Sequence, residues 1–277
     1  MKRDIQKQLI AACHASSIYD MADILEDEFM NSSKGWKAGA EKFLEFIKDG
    51  KPRFSIFQMN GNKKLPFAKF SSAPEATCPG AGECLSFCYS FRAWRFVNPF
   101  FIHAQNTFLL QQETGRELIR SEFLKLPKGI EFRLYVDGDF DSLETLRFWM
   151  ETIAMRPDIK VYGYSKSWEL FLAHHDTGGK FPENYRLNIS SGSKYGEAYR
   201  ARMMTLPCVR GEFVAVVIPK KADAPIGART PEYRKAVLAS LGARAFVCPG
   251  LCGSCTPSGH ACGSEKFKGV KIAIGVH

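Results

Sequence analysis

Long apolar runs are missing from this chain. None approaches the roughly 20 residues that a membrane-spanning helix needs. Met1-Lys2-Arg3-Asp4 leads into an amphipathic stretch rather than the apolar core of a signal peptide. The expectation is therefore a cytoplasmic protein with no membrane association. Also missing are a G-x-G-x-x-G after any strand-like segment and a G-x-x-x-x-G-K-[ST], which removes the main signatures of nucleotide-phosphate folds. No internal repeat or low-complexity segment occurs. With 45% hydrophobic, 24% charged and 13% aromatic residues in 277, the composition excludes disorder and suits one large domain, with or without an appendage.

Acidic residues are in short supply. The 38 Lys and Arg against 29 Asp and Glu leave a net charge of +9, unevenly spread. Residues 1–50 and 126–193 each carry −2, while 51–125 carry +5 and 194–277 carry +8. Both basic stretches also hold clustered cysteines. A basic enzyme and a polyanionic partner such as nucleic acid are both compatible with this pattern.

An even cysteine count is absent too. Nine cysteines in a chain with no secretory signal argue against a disulfide framework and for metal or cofactor ligation. Seven fall in two groups, Cys78, Cys84 and Cys88, then Cys248, Cys252, Cys255 and Cys262. Cys13 and Cys208 stand alone and read as small buried hydrophobes.

Hydrophobic periodicity divides the chain. Residues 1–50 read as a helical segment, with apolar stripes at Ile5, Leu9 and Ile10, at Met21, Ile24, Leu25 and Phe29, and at Phe43, Leu44 and Ile47. Phe54–Met59 and Leu65–Phe70 read as a hairpin about Asn60-Gly61-Asn62. A helical run over 90–113, broken near Asn98-Pro99, follows the first cysteines. Strands are then predicted at 131–136, 160–164, 185–189, 213–218, 245–247 and 270–274. Helices are predicted at 142–154, capped by Ser142, and at 168–174, 197–204 and 231–241. Strands alternating with helices imply parallel βαβ units. The expected fold is α/β, a (β/α) barrel or partial barrel over residues 51–277. An N-terminal helical appendage precedes it, and a C-terminal Cys-rich metal knot spans 248–262.

The first cysteine loop is C-x5-C-x3-C, enriched in Gly and Pro. Three thiolates can hold three irons of a [4Fe–4S] cluster and leave the fourth open, or can supply three ligands to zinc with a fourth from elsewhere, Cys208 or His103 being spare. The second group is C-x3-C-x2-C-x6-C. Four thiols within fifteen residues suit either structural zinc or an Fe–S cluster, and His260 can replace one thiol. In parallel α/β folds ligands bind at the carboxyl ends of strands. That singles out Asp137, Gly138 and Asp139, then Ser165 and Lys166, then Asn188 and Ser190 as candidate cofactor-binding residues. The alternating aspartates also suit a hard cation. An EF-hand is excluded because the sixth position is Ser142 and the twelfth Phe148.

A cysteine loop after a first strand, with Phe87 before the last thiol, resembles that of the radical S-adenosylmethionine (SAM) enzymes, whose usual spacing is C-x3-C-x2-C. The resemblance implies a [4Fe–4S] cluster on Cys78, Cys84 and Cys88, with a carboxylate such as Asp139 holding the amino group of SAM. It also implies an external reductant. A closer resemblance is to the gene product 88 family of phages and plasmids. It rests on Cys-Pro-Gly…Cys…Cys-Tyr, Asn106, Gly138-Asp139-Phe140, Trp149, Arg156-Pro157 and Tyr164-Ser165-Lys166-Ser167. That family implies a mobile-element protein with a metal centre and supplies no reaction. Two functions follow. One is a radical-SAM-like enzyme, with nucleic acid among its candidate substrates. The other is a non-enzymatic nucleic-acid-binding protein with structural zinc, in which Arg92, Arg95, Lys220 and Lys221 contact phosphates and Trp94 stacks on a base.

Overall fold

A computed structural model of the chain describes residues 1–59, 65–218, 230–253, 255, 256 and 259–276. The hairpin turn at 60–62 and the candidate contacts Lys220 and Lys221 lie outside these residues.

The N-terminal stripes fold as α1 (Arg3–His14), α2 (Ile18–Ile24) continued by a π-helical turn at Leu25–Phe29, and α3 (Lys34–Asp49). Leu9, Ile10, Met21, Leu25, Phe29, Phe43 and Phe46 are buried and share one continuous core with the rest of the chain. Aromatic contacts tie them in: Phe29 stacks on Phe100 at 5.8 Å, and Phe43 meets Phe101 at 5.7 Å.

The expected hairpin contracts to one antiparallel bridge, Gln58 with Lys69. The returning half, β1 (Ala68–Lys69), instead joins a parallel sheet. Its partners are β2 (Glu131–Leu134), β3 (Lys160–Ser165), β4 (Tyr185–Ser190), β5 (Val209–Val217), β6 (Phe246–Val247) and β7 (Ile272–Val276). Between them lie α4 (Val97–Gln111), α5 (Glu113–Leu124), α6 (Leu143–Ala154), α7 (Trp168–Asp176), α8 (Glu197–Met204) and α9 (Pro231–Leu241). The helical run after the first cysteines begins as 3₁₀ turns at 83–87 and 89–95. Pro99 sits in the first turn of α4, where its missing N–H costs nothing. Helix α5 is unannounced by the sequence periodicity as read above. Ser142 caps α6 as expected, in a reciprocal capping box with Thr145.

The seven strands run in the order β1-β2-β3-β4-β5-β7-β6, all parallel. The sheet is open, with β1 and β6 as its edges, so of the expected barrel or partial barrel the closed form is not found. One reversal explains why. From β1 to β6 every step moves in the same direction, and right-handed crossovers place their helices on one face. The step from β6 back to β7 goes the other way, so the same handedness sends residues 248–271 to the opposite face.

The two faces read cleanly from strand alternation. Phe132, Leu134, Val161, Tyr185, Leu187 and Ile189 pack into the helical core. Tyr162 and Tyr164 face the other side and pack with Ala261 and Cys262. This inner face is where the second cysteine segment lies. From edge strand β6 it reaches the opposite edge: His260 stacks on Phe67 at 4.7 Å and on Tyr162 at 4.5 Å, and pairs with Glu131 at 3.0 Å.

Arg210 pins that segment. It is 1% exposed and has no carboxylate partner among the described residues. Its Nε donates to Asn188 Oδ1 (2.6 Å), and Nη1 donates to the carbonyls of Phe267 (2.6 Å) and Val270 (2.9 Å). Asn188 in turn donates to the carbonyls of Gly163 (3.1 Å) and Cys262 (2.9 Å). Replacing Arg210 with Met orphans the buried Asn188 amide oxygen and the part-buried carbonyls of Phe267 and Val270, so chemical denaturation should show a loss of about 3 kcal/mol. An unchanged midpoint and slope would disprove the pin.

Candidate functional site

The strand ends converge as the parallel sheet requires. Asp139 is buried beyond β2. Its Oδ2 accepts the Lys166 N–H at 2.7 Å and its Oδ1 the Phe140 N–H at 2.8 Å. Burial raises its carboxyl above the ordinary range, only partly offset by these bonds and by the neighbouring Ser165. Lys166 spans to the next strand, its Nζ donating to Ser190 Oγ at 3.0 Å. Ser165 Oγ accepts the Ser167 N–H at 3.0 Å, closing the turn into α7. Asp137 faces α4, where His103 Nε2 approaches it at 3.4 Å. Burial works to raise its carboxyl, but His103, Ser90 and Arg133 outweigh that and leave it below the usual value. Gly138 has φ +79°, and a Cβ there would overlap Ser72 Oγ.

The first cysteine loop is clamped across this edge. Gly82 N–H and Cys84 N–H both donate to the Gly192 carbonyl (3.0 and 3.3 Å), and Lys194 N–H donates to that of Gly80 (3.0 Å). Ser193 Oγ donates to the carbonyls of Gly80 and Lys166, each at 3.1 Å. A Cβ on Gly80 would lie inside the Lys166 carbonyl, which explains the glycine. Cys78 and Cys84 are close enough to Asp139 and Lys166 for their charges to interact, and Cys88 interacts with both thiols. The three thiols and the strand-end groups therefore share one place.

The spare ligands are not there. Cys208 is buried just before β5, at the amino end of that interior strand, whereas the cysteine loop sits at the carboxyl ends. Both ring nitrogens of His103 are engaged, Nδ1 by Trp94 Nε1 at 3.2 Å and Nε2 by Asp137. His260 is likewise committed: Nδ1 accepts the Gly263 N–H at 3.2 Å and Nε2 faces Glu131.

In the second segment Cys248, Cys252 and Cys255 interact electrostatically, and Cys262 does so with Cys248 and Cys252. Burial pushes Cys248 up to about 11 and Cys262 up to about 12. Thiols so raised are poor nucleophiles at neutral pH, and cation binding is what would make thiolates of them. All nine cysteines are free. Among the described residues, no three or more His, Cys, Asp or Glu side chains are grouped so as to hold a metal ion. The expected metal knot is thus an arrangement of neighbouring thiols and not a formed coordination site.

Two expected roles change. Asn188 is wholly occupied by Arg210, Gly163 and Cys262, so it positions the second cysteine segment and is not free to bind a cofactor. Trp94 is 2% exposed and enclosed by Phe91 and Phe100, leaving no ring face for a base. Arg92 and Arg95 beside it are exposed, as expected of phosphate contacts. Sequence reasoning missed Ser193 and Thr77. Thr77 Oγ1 accepts the Asp139 N–H at 3.2 Å and donates to the Ala73 carbonyl at 2.7 Å.

If the clamp is the role of Gly80, then Gly80→Ala should release the loop at a cost of about 1–3 kcal/mol. A glutamate-specific protease should cut the folded variant after Glu83 while sparing the wild type. Equal cleavage rates would refute it.

No helix among the described residues is long and apolar enough to cross a membrane. No curated protein and no solved structure matches the chain. The family model for gene product 88 matches residues 38–267, from the third helix through both cysteine segments. The chain belongs to the gene product 88 family.

Proposed function

We propose that this is an iron–sulfur-binding, radical-SAM-like protein of a phage or plasmid, with Cys78, Cys84 and Cys88 holding a [4Fe–4S] cluster at the carboxyl edge of the sheet. The carrying observation is that these thiols share the strand-end site with Asp139 and Lys166. By residue type the donor set suits such a cluster: it has three free thiols, and the two other side chains considered as ligands, His103 and Cys208, are committed or distant. When bound, a cluster held by three thiols offers an open iron to an amino-acid chelate such as SAM and an electron to pass to it. The chain's own part is to orient and to neutralise. Asp139 is fixed by two backbone N–H donors and lies where it can receive an ammonium group. Lys166 and Ser190 supply donors to a carboxylate or hydroxyl at the same edge. The second cysteine segment is read as a structural zinc or auxiliary Fe–S site bracing the inner face.

Protein purified anaerobically should be brown, with broad visible absorbance that shifts on adding SAM. Cys84→Ala should abolish the shift while keeping the fold. Colourless, iron-free wild type, or a spectrum indifferent to SAM, would overturn this reading.

A second reading is nucleic-acid binding, and it has its own observation. Phe96 is 64% exposed between exposed Arg95 and α4, a stacking surface in place of the buried Trp94. Single-stranded binding should weaken with salt at a log–log slope of about −0.7 per phosphate contact, and Phe96→Ala should reduce it. A flat salt response would exclude it.

A further inference from the structure

The inner face carries a pair of cations that form no ion pair among the described residues. Lys69 on β1 and Arg133 on β2 are register partners, so their side chains stand next to each other on the same face. Like charges directly opposite across a ladder are destabilising. Among the described residues neither forms an ion pair, whereas Arg186, two strands further along the same row, pairs with Glu265. Asp137 is near enough to act on both, but its carboxylate is held by His103 and Ser90. Burial and Arg133 together lower the Lys69 ammonium below its ordinary value, with Asp137 opposing them.

Arg133 is held ready to donate. Its guanidinium lies over the Tyr164 ring at 4.8 Å, which occupies a face of the group, and Tyr89 engages one of its N–H edges. Its Nε is buried with no hydrogen-bond partner, and so is the hydroxyl of Tyr162, its neighbour on β3 and 1% exposed. Buried donors without partners are uncommon and costly. Around Arg133 stand Tyr89 from the end of the first cysteine loop and Cys252 from the second cysteine segment. The position therefore lies between the two cysteine segments.

We infer that Lys69, Arg133 and Tyr162 form an oxyanion site, taking a carboxylate or phosphate group of a small ligand on the inner face between the two cysteine segments. An oxyanion there receives charge-assisted bonds from Arg133 and Lys69 and satisfies the orphan donors. It also relieves the repulsion between the two cations. This deepens the reading above by naming an anionic substrate class, and rests on it in taking the inner face as the side where ligand meets cluster.

The test is calorimetric titration of the anaerobically purified full chain with inorganic phosphate and, separately, with succinate. At least one should bind, and which one binds identifies the group. Lys69→Met and Arg133→Met should each weaken binding about tenfold or more, while Lys48→Met, an exposed lysine on α3, should leave it unchanged. If Arg133→Met does not fold, Lys69→Met alone decides the matter. Failure of both anions to bind, or wild-type affinity in Lys69→Met, would overturn the site. Visible absorbance of the same samples separates the two readings. Colourless protein that binds through Lys69 removes the cluster and keeps the anion site, and brown protein that binds neither anion does the reverse.

Discussion

A buried guanidinium with no counter-charge among the described residues ties the segment around Phe267 and Val270 to the sheet. Among the described residues Arg210 donates to neutral oxygens, the Asn188 amide and the carbonyls of Phe267, Val270 and Glu212. Burial works against its charge and lowers its pKa, so the arrangement survives because every acceptor is set for it. Through Asn188 the same contact reaches the Cys262 carbonyl and the centre of the sheet. Without it, the Phe267 and Val270 carbonyls lose their side-chain donor and Asn188 loses the partner that orients its amide toward Cys262.

Cover over the inner face is what an open sheet of this kind needs. Sequential parallel strands with one-sided crossovers bury one face under helices and leave the other bare, a problem a closed barrel solves by wrapping. Here the reversal between β6 and β7 sends a helix-poor, cysteine-rich segment across the bare face. His260 reaches Phe67 and Glu131 at the far edge. Both cysteine segments leave the carboxyl ends of edge strands, β1 and β6, and they approach each other over Arg133. The site is therefore a consequence of topology: two loops far apart in sequence are brought to one face by one change of direction.

Local signals in the sequence were strong where chemistry is local. The Ser142 N-cap, Pro231 at the start of α9, and the limits of α8 and α9 are determined by neighbours a few residues away, and all stand as read. The two cysteine groups and the Gly138-Asp139 strand end were legible for the same reason. Roles that depend on distant partners were not. Asn188 looks like a free strand-end amide until Arg210 meets it from β5, and Trp94 looks like a surface aromatic until α1 and α4 close over it, with Gln6 donating to its carbonyl at 2.8 Å.

By itself the sequence determined an α/β chain with parallel strands, two thiol-rich loops and polar groups at the carboxyl ends of strands. These follow from periodicity, turn chemistry and cysteine spacing, which act within a dozen residues. Tertiary structure alone decided that the sheet stays open and that the second cysteine segment crosses its inner face. It alone also decided that His103, His260 and Cys208 are withheld from the first cysteine loop and that Lys69 stands beside Arg133 on one face. Each of these depends on strand order and register, and a two-residue strand such as β1, or one backward step at β7, carries almost no signal in local sequence while setting which side chains share a face.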